Sequence, residues 1–248
     1  MNAPTRPSKI NNRWDINLTE NRHEFHAKRP GWEIERVESC AELMTEGMVI
    51  YDLGAECGDF TALYKMWVGP EGTVIPVEPS PPVWPELRTH WEANNCGPLQ
   101  GYFPGFASFA DGLVPEIQDD RYAGIFPGND GWPLCSVGEV IPDFGFRHLA
   151  QQAHHTPMLS LDSMVKHVGY IPDAIVMDIE GSELMALWGA INLLKEIKPI
   201  MWVSIHQPAM RDFFNHNLDE LLRYMKSVNY HGELLGEGTE EYWIFQAS

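Results

Sequence analysis

Residues 48–59 read MVIYDLGAECGD, and this segment decides the fold of the chain. Its first six residues form a short, mostly apolar run that stops at Gly54, which is typical of a buried β-strand. Apolar residues then recur at helical spacing over 60–67, and a second strand over 72–78 is followed by a second helix over 81–95. This alternation of strand and helix predicts an α/β fold built on a parallel sheet.

The same alternation returns after an irregular stretch in the middle of the chain. The predicted order is strand 173–178, helix 182–197, strand 199–205, helix 218–228, and a closing hairpin of strands 230–235 and 242–245. The stretch at about 100–155 is rich in Gly, Pro and aromatic residues, which predicts a substrate-side insertion. Its aromatic rings either contact a ligand or pack onto the sheet. Residues 1–40 are predicted to be an N-terminal arm or lid, with a disordered tail as the alternative, and residues 41–248 the main domain.

The charge of the chain limits its partners. It has 17 basic and 35 acidic residues, a formal net charge of −18. This charge would repel the phosphates of nucleic acids and of anionic membranes, so we expect neither as a partner and favour a small neutral or cationic one. No apolar run reaches the roughly 18 residues of a membrane span. Residues 1–15 lack the apolar core of a secretory signal, so a cytoplasmic location is expected.

The glycine loop after the first strand predicts a ligand site. Gly54 and Gly58 allow tight turning and close backbone approach, and Glu78 lies twenty residues past Gly58, where a carboxylate can accept hydrogen bonds from ribose hydroxyls. The glycine spacing differs from the G-x-G-x-x-G of dinucleotide enzymes. Asp52 and Glu56 would repel a pyrophosphate but tolerate an ammonium or a sulfonium, which predicts S-adenosylmethionine as the ligand. The alternative is a plain glycine turn with a solvated Glu78.

A second acidic segment ends the strand over 173–178. Asp178 and Glu180 would point to the same side if that strand continues through them, and such a pair can orient a hydroxyl or accept its proton. His206 follows the next strand at the same sheet edge and is our candidate general base, with Asp178 or Glu180 orienting it or the substrate. The alternative for this segment is capping and turn chemistry alone, with Glu183 favouring the helix N-terminus.

Two further possibilities remain open for this edge of the sheet. His154 and His155 in the predicted insertion are a second candidate for the base. Asp162, together with the acids and the histidine of the strand ends, has the residue types that bind a divalent cation. We assign no metal ligands from the sequence, because it does not show whether these side chains converge.

The ordered motifs of the chain resemble those of the FkbM family of S-adenosylmethionine-dependent methyltransferases. The resemblance covers about residues 48–206 and rests on these pieces: Asp52-Leu53-Gly54-Ala55 with Gly58, Phe60-Thr61, Glu78-Pro79-Ser80-Pro81, Leu161-Asp162, Asp178-Ile179-Glu180-Gly181-Ser182-Glu183, Leu187, Gly189-Ala190 and Pro199. Each piece alone is only modestly specific, whereas their order and spacing together are strong. The first 40 residues lie outside the resemblance.

The resemblance implies a Rossmann-like class I methyltransferase fold, with a mostly parallel seven-stranded sheet that has one antiparallel strand. It implies methylation of a hydroxyl, commonly on a sugar, glycolipid or other small natural product, so the expected partner is a small-molecule or glycan acceptor. It places Asp52, Gly54 and Gly58 at the methionine end of the cofactor, and Asp178 near the transferred methyl group. The cofactor-binding residues predicted from the loop and the resemblance together are Asp52, Gly54, Ala55, Glu56, Gly58, Phe60, Thr61, Glu78 and Pro79.

The chain departs from the family pattern at three positions. Glu56 stands where the family usually has Asn, Val176 where it usually has Lys, and Ser204 where it often has Glu. Acceptor chemistry that differs from the commonest members is therefore expected. Other functions considered are a non-catalytic module that binds S-adenosylmethionine or a protein, an NAD-dependent oxidoreductase, and a metal-dependent phosphoesterase. The last would leave the glycine loop and Glu78 unexplained.

Overall fold

The structure is a computed structural model that describes residues 3–112 and 157–248. Most of the predicted insertion at 100–155 lies outside the described residues, and so do His154 and His155. Within the described ranges, the chain forms one large sheet, a small pair of parallel strands and an N-terminal hairpin. None of the helices in these ranges combines the length and the apolar composition that crossing a membrane requires. The cytoplasmic location stays a prediction.

The large sheet is mostly parallel. The strands of the described chain are β1 (Thr5–Ile10), β2 (Trp14–Thr19), β3 (Val49–Leu53), β4 (Thr73–Val77), β5 (Phe106–Ser108), β6 (Met158–Ser160), β7 (Ala174–Met177), β8 (Ile200–Ile205), β9 (Tyr230–Glu237) and β10 (Glu241–Ala247). The order in the large sheet is β4-β3-β7-β8-β10-β9, and β10 runs antiparallel to both of its neighbours. This confirms the predicted mostly parallel sheet with one antiparallel strand.

Six strands and one additional bridge make up this sheet where the resemblance implied seven strands. Phe103 forms a parallel bridge with Val77 at the outer edge of β4, with its N–H donated to the Pro76 carbonyl and its carbonyl accepting from the Glu78 N–H. The position of the seventh strand is therefore held by a single residue.

Helices cover both faces of the large sheet. The α-helices of the described chain are α1 (Glu20–Lys28), α2 (Ile34–Leu43), α3 (Asp59–Val68), α4 (Trp84–Ala93), α5 (Leu161–Val168), α6 (Glu183–Trp188), α7 (Gln207–Phe214) and α8 (Leu218–Ser227). Alternate residues of β7 belong to different hydrophobic clusters: Val176 packs with Leu63 of α3, whereas Ile175 packs with Leu187 of α6. A strand buried on both faces reads as a continuous apolar run, as this one does.

The N-terminal segment is folded onto the same face as α3 and α4. Ile10, Ile16 and Leu18 of its hairpin belong to the hydrophobic cluster under these helices. The Asn17 N–H donates to the Asn94 side chain, and the Asn17 amide donates to a carbonyl at the end of α4. The predicted arm thus contains a hairpin and a helix, with α2 extending beyond residue 40. Its boundary with the main domain stays a prediction.

The predicted helix over 182–197 is interrupted. Helix α6 ends at Gly189, where an added Cβ would lie 2.0 Å from the Ser108 carbonyl oxygen of β5. A π-helical turn, Leu193–Ile197, follows. The Asp162 carboxylate accepts the backbone N–H groups of Asn192 and Leu193, at 3.0 and 2.8 Å, and so supports the start of this turn. Close packing against β5 therefore divides what the apolar periodicity predicted as one helix.

Candidate active site

The glycine loop makes a turn that side chains would block. Gly54 and Gly58 have φ angles of +83° and +76°, in the left-handed region that favours glycine. A Cβ on Gly54 would lie 1.8 Å from the Asp178 carbonyl oxygen, and a Cβ on Gly58 would lie 2.9 Å from the Leu87 Cα. The loop therefore packs directly on the segment that follows β7 and on α4. Both glycines are required by close backbone approach.

Glu78 is held beside this loop by backbone groups. Its carboxylate accepts the N–H of Glu56 at 2.9 Å through Oε2 and the N–H of Ser80 at 2.7 Å through Oε1. Burial raises the pKa of Glu78 to about 7, although both hydrogen bonds act in the opposite direction. Each carboxylate oxygen has a second lone pair, so Glu78 keeps capacity to accept ribose hydroxyls. The acceptor oxygens of Glu78 therefore fit the ribose hydroxyls of S-adenosylmethionine.

Three of the residues predicted to contact the cofactor are engaged inside the protein. The Thr61 hydroxyl donates to Asp52 at 2.5 Å, and both side chains are buried. Burial raises the pKa of Asp52 to about 6, against the opposing effects of Thr61 and Arg36. The Phe60 ring packs between His26 and Tyr64. In this structure, Asp52, Phe60 and Thr61 therefore contact other side chains of the protein next to the loop.

A cleft of about 300 Å³ lies along the carboxyl ends of β3, β4 and β7. Five of the predicted site residues line it: Gly54, Glu78, Pro79, Asp178 and Glu180. Its other walls are largely apolar and include Phe106, Met158, Ile179, Met185 and Phe214. Ala55, Glu56 and Gly58 lie in the adjoining loop. The size and the mix of apolar walls with a few polar groups are typical of small-molecule sites.

His206 lies beside two of the cleft-lining carboxylates, Asp178 and Glu180, although it does not itself line the cleft. The Nε2 atom of His206 lies 3.5 Å from Asp178 Oδ1 and 3.6 Å from Glu180 Oε2. The strand predicted over 173–178 ends at Met177, so the condition that it continues through Asp178 and Glu180 is not met. Glu180 and Gly181 instead have φ angles of +55° and +100°. This left-handed turn, not strand alternation, brings both carboxylates to the histidine.

Glu183 is a functional neighbour that sequence reasoning assigned only to the helix N-terminus. Its fully buried Oε1 lies 3.0 Å from His206 Nδ1 and accepts the Gly181 N–H at 2.8 Å. Burial alone would lower the pKa of His206, but the hydrogen bond with Glu183 and the charges of the three carboxylates raise it to about 9. The imidazole is therefore protonated near neutral pH. The only sequence signal for this pair was the acid at the start of the predicted helix, Glu183, which is the first residue of α6.

The ion pairs of His206 bear on the metal alternative. An imidazolium has protons on both nitrogens and offers no lone pair to a cation. Asp178, Glu180 and His206 are close enough to share an ion, which would have to displace a proton from the histidine on binding. Asp162 does not join them, because its carboxylate binds the backbone of the π-helical turn.

Two positions where the chain departs from the family pattern are buried. Val176 packs in the hydrophobic cluster with Trp202 and does not line the cleft. The Ser204 hydroxyl is buried and has no hydrogen-bond partner among the residues that the structure describes. The part of the cleft proposed for the acceptor is therefore lined by Asp178 and Glu180, with His206 beside them, and neither position 176 nor position 204 supplies a lysine or a glutamate there.

The fold is that of a class I methyltransferase. It has the same sheet order, a glycine turn after the first strand of the sheet, β3, and an acid after the neighbouring strand, β4. This fold and the family described next imply S-adenosylmethionine as the methyl donor. The methyltransferase FkbM domain matches residues 52–231. The chain belongs to this family, as the motif resemblance predicted.

One of the similar solved structures supports the fold. Methyltransferase FkbM from Methylobacillus flagellatus KT is 20% identical, with a TM-score of 0.51, over 81% of this chain and 44% of that chain. The chain thus spans less than half the length of that protein. A precorrin-6y C5,15-methyltransferase from Geobacter metallireducens GS-15 is 14% identical, with a TM-score of 0.49, over 87% of this chain and 88% of that chain. A comparison with curated proteins gave no match.

Proposed function

We propose that this protein transfers the methyl group of S-adenosylmethionine to a hydroxyl oxygen of a sugar, a glycolipid or another small natural product. The observation that carries the proposal is the single cleft that joins Glu78 to Asp178 and Glu180, whose carboxylates meet His206. Membership of a methyltransferase family supports the transfer of a methyl group. The choice of oxygen as the acceptor atom is our inference from the cluster of acids and histidine.

The cofactor is proposed to lie with its ribose at Glu78 and its methionine end over the loop at Gly54. When bound, S-adenosylmethionine supplies an activated methyl group on a positively charged sulfur. The positive charge of that sulfur is compatible with the carboxylates of Asp178 and Glu180 in the same cleft. Asp178 and Glu180 line the cleft next to Gly54, as a residue beside the transferred methyl group must.

The cleft favours an acceptor that has no negative charge. Among the described residues that line it there is no lysine or arginine, while three carboxylates are present. A phosphate or carboxylate on the acceptor would therefore meet three like charges, and the imidazolium of His206, already paired with acids, would be the cation nearest to them. The apolar walls formed by Phe106, Met158 and Phe214 suit a sugar face or an aglycone. A neutral or cationic acceptor with a hydroxyl follows from these contacts.

The residues at the acceptor end can position the hydroxyl and take its proton. The hydroxyl oxygen forms a bond to the methyl carbon as the carbon–sulfur bond breaks, and the hydroxyl proton must leave. His206 is our proposed general base, with Asp178 and Glu180 orienting it and the acceptor. Because the pKa of His206 is about 9, only the small neutral fraction is active at pH 7. The rate should therefore rise with pH up to about 9.

The proposal is tested by calorimetry followed by an acceptor screen. The full chain should bind S-adenosylhomocysteine and not NAD. Radiolabelled methyl transfer from S-adenosylmethionine is then measured on neutral glycans, glycolipids, phenols and amines. Transfer to a hydroxyl with a rate that increases from pH 6 to 9 supports the proposal. Binding without transfer to any member favours a non-catalytic module, and transfer only to nitrogen contradicts the choice of oxygen.

A further inference from the structure

Residues Thr19–His26 of the N-terminal segment contact the glycine loop, although the family match begins only at residue 52. Arg22 donates from Nε to Asp59 Oδ2 at 2.8 Å, and its Nη2 lies 2.7 Å from the same oxygen. His26 Nε2 lies 2.7 Å from that carboxylate as well. Asp59 is the first residue of α3 and directly follows Gly58. Two side chains of α1 therefore hold the residue at which the loop becomes a helix.

A second connection reaches the loop through His90 of α4. The Thr19 N–H donates to His90 Nε2 at 3.1 Å, and His90 Nδ1 lies 2.7 Å from the Cys57 carbonyl oxygen. Since Nε2 accepts a hydrogen bond from the Thr19 backbone N–H, Nδ1 carries the ring proton and donates to the Cys57 carbonyl oxygen. The imidazole is completely buried and bridges the end of β2 to the loop. The N-terminal segment thus supports the loop at Cys57 and at Asp59.

The Asp59 carboxylate is buried and depends on Arg22 and His26 to balance its charge. The Asp59 side chain is 2% exposed, and burial would raise its pKa, but Arg22 and His26 hold the pKa well below its usual value. A buried carboxylate that loses its partner is strongly destabilising. Arg22 Nη2 also lies 3.6 Å from Glu56 Oε2. Glu56 has a φ of +44°, and its N–H donates to Glu78. Arg22 is therefore linked through one residue to the acid proposed to bind ribose.

We propose that the segment Thr19–His26 is part of the cofactor site and that Arg22 is a positioning residue that fixes the glycine loop. This inference rests on the proposed use of S-adenosylmethionine. It differs from a general role in stability, because both acids that Arg22 contacts, Glu56 and Asp59, lie in the glycine loop or directly after it, although the guanidinium also lies over the Phe25 ring at 4.3 Å. Arg13 offers a matched comparison in the same segment: it pairs with Glu38, and both side chains are largely exposed.

The experiment compares Arg22→Met, Arg22→Lys and Arg13→Met in the full chain. Calorimetry gives the affinity for S-adenosylhomocysteine, and hydrogen–deuterium exchange gives the protection of the amides of residues 54–59. We expect Arg22→Met to weaken binding at least tenfold and to speed exchange in this loop. Arg22→Lys keeps the charge but loses the planar pair of donors, so its loss should be smaller. Arg13→Met should bind within about twofold of the wild type, as expected for an exposed pair.

The outcomes separate this inference from the proposed function. Failure of the wild type to bind S-adenosylhomocysteine contradicts the proposed function, whereas the exchange of the loop amides still tests Arg22. Equal affinity and equal loop exchange in Arg22→Met and wild type overturn the inference. If Arg22→Met does not fold, Arg22→Lys decides it: wild-type affinity and exchange in that variant also overturn it. A melting temperature lowered equally by Arg22→Met and Arg13→Met, with unchanged affinity, counts against it as well.

Discussion

The two ends of the cleft are built in different ways. At the cofactor end, Glu78 is 6% exposed and is held by backbone N–H groups, and the loop packs backbone against backbone at Gly54. At the acceptor end, the side chains of Asp178 and Glu180 are 26% and 61% exposed, and they are held through His206. The first end is a rigid backbone cradle, whereas the second is a set of charged side chains.

This difference in construction suggests that one end of the cleft serves cofactor binding and the other serves methyl transfer. A cradle made of backbone groups tolerates few substitutions and serves one invariant ligand. A cluster of side chains at an open rim can change with the acceptor, and its proton affinity depends on how the charges balance. Substitutions in the glycine loop or at Glu78 should therefore affect affinity for the cofactor. Substitutions at His206 or its acidic partners should affect turnover and its dependence on pH.

The largest effect is expected at Gly54. In Gly54→Ala the new methyl group would lie 1.8 Å from the Asp178 carbonyl oxygen, so the loop must move. We expect affinity for S-adenosylhomocysteine to fall about 100-fold, equivalent to roughly 3 kcal/mol, as measured by calorimetry. Gly47→Ala is the control, because Gly47 also has a positive φ but nothing lies within 4 Å of its Cβ position. Similar losses in both variants would attribute the effect to backbone strain alone.

His206→Ala should lower turnover at least tenfold while it leaves affinity for S-adenosylhomocysteine nearly unchanged. The reason is that the imidazole contacts the acceptor-end carboxylates and does not line the cofactor end of the cleft. Removal of a general base typically costs about 10²–10⁴-fold. Turnover is measured with the acceptor found in the screen, and His231→Ala, at an exposed histidine, is the control. Unchanged turnover would remove His206 from the mechanism.

Affinity for the cofactor should depend on the protonation of Glu78. A carboxylate that accepts ribose hydroxyls must be ionised, and burial raises the pKa of Glu78 to about 7. Lowering the pH from 7 toward 5 protonates it, so affinity should fall by up to about tenfold per pH unit. Calorimetry between pH 5 and 8 measures this slope. Glu78→Gln should bind weakly at every pH with a flatter profile, and Glu71→Gln, at an exposed acid, should keep the slope.

The smallest effect is expected from Glu183→Gln. This change removes a negative charge and weakens the hydrogen bond that raises the pKa of His206, so that pKa should fall. If neutral His206 is the base, the rising limb of the pH–rate profile should move to lower pH. The rate is measured from pH 6 to 10, with Glu196→Gln as an exposed acid of the same charge. A limb that stays near pH 9 would exclude Glu183 as the group that sets it.

The sequence predicted the order of the large sheet's elements and the residues at the carboxyl ends of its strands. The alternation of apolar runs and turns gave the strand that ends at Leu53 and the helix after Gly58 within one or two residues. It failed for the helix over 182–197, because the approach of Gly189 to β5 is a long-range contact with no periodic signature. It also left open whether β7 continues through Glu180, since alternation alone cannot reveal a left-handed turn.

The glycine turn and the place of Glu78 beside it could be predicted from the sequence because they are local: two glycines, an acid at a fixed spacing and a strand on either side define them. Cofactor binding at this turn stays a prediction. The acceptor end and its support were decided only by tertiary structure. Glu183 meets His206, and Arg22 meets Asp59, across 23 and 37 positions of the chain. Pairs of charges brought together by folding leave no pattern in sequence, and the paired charges, acting against burial, then determine their protonation. The residue types were in the sequence, whereas their pairing and charge state required the fold.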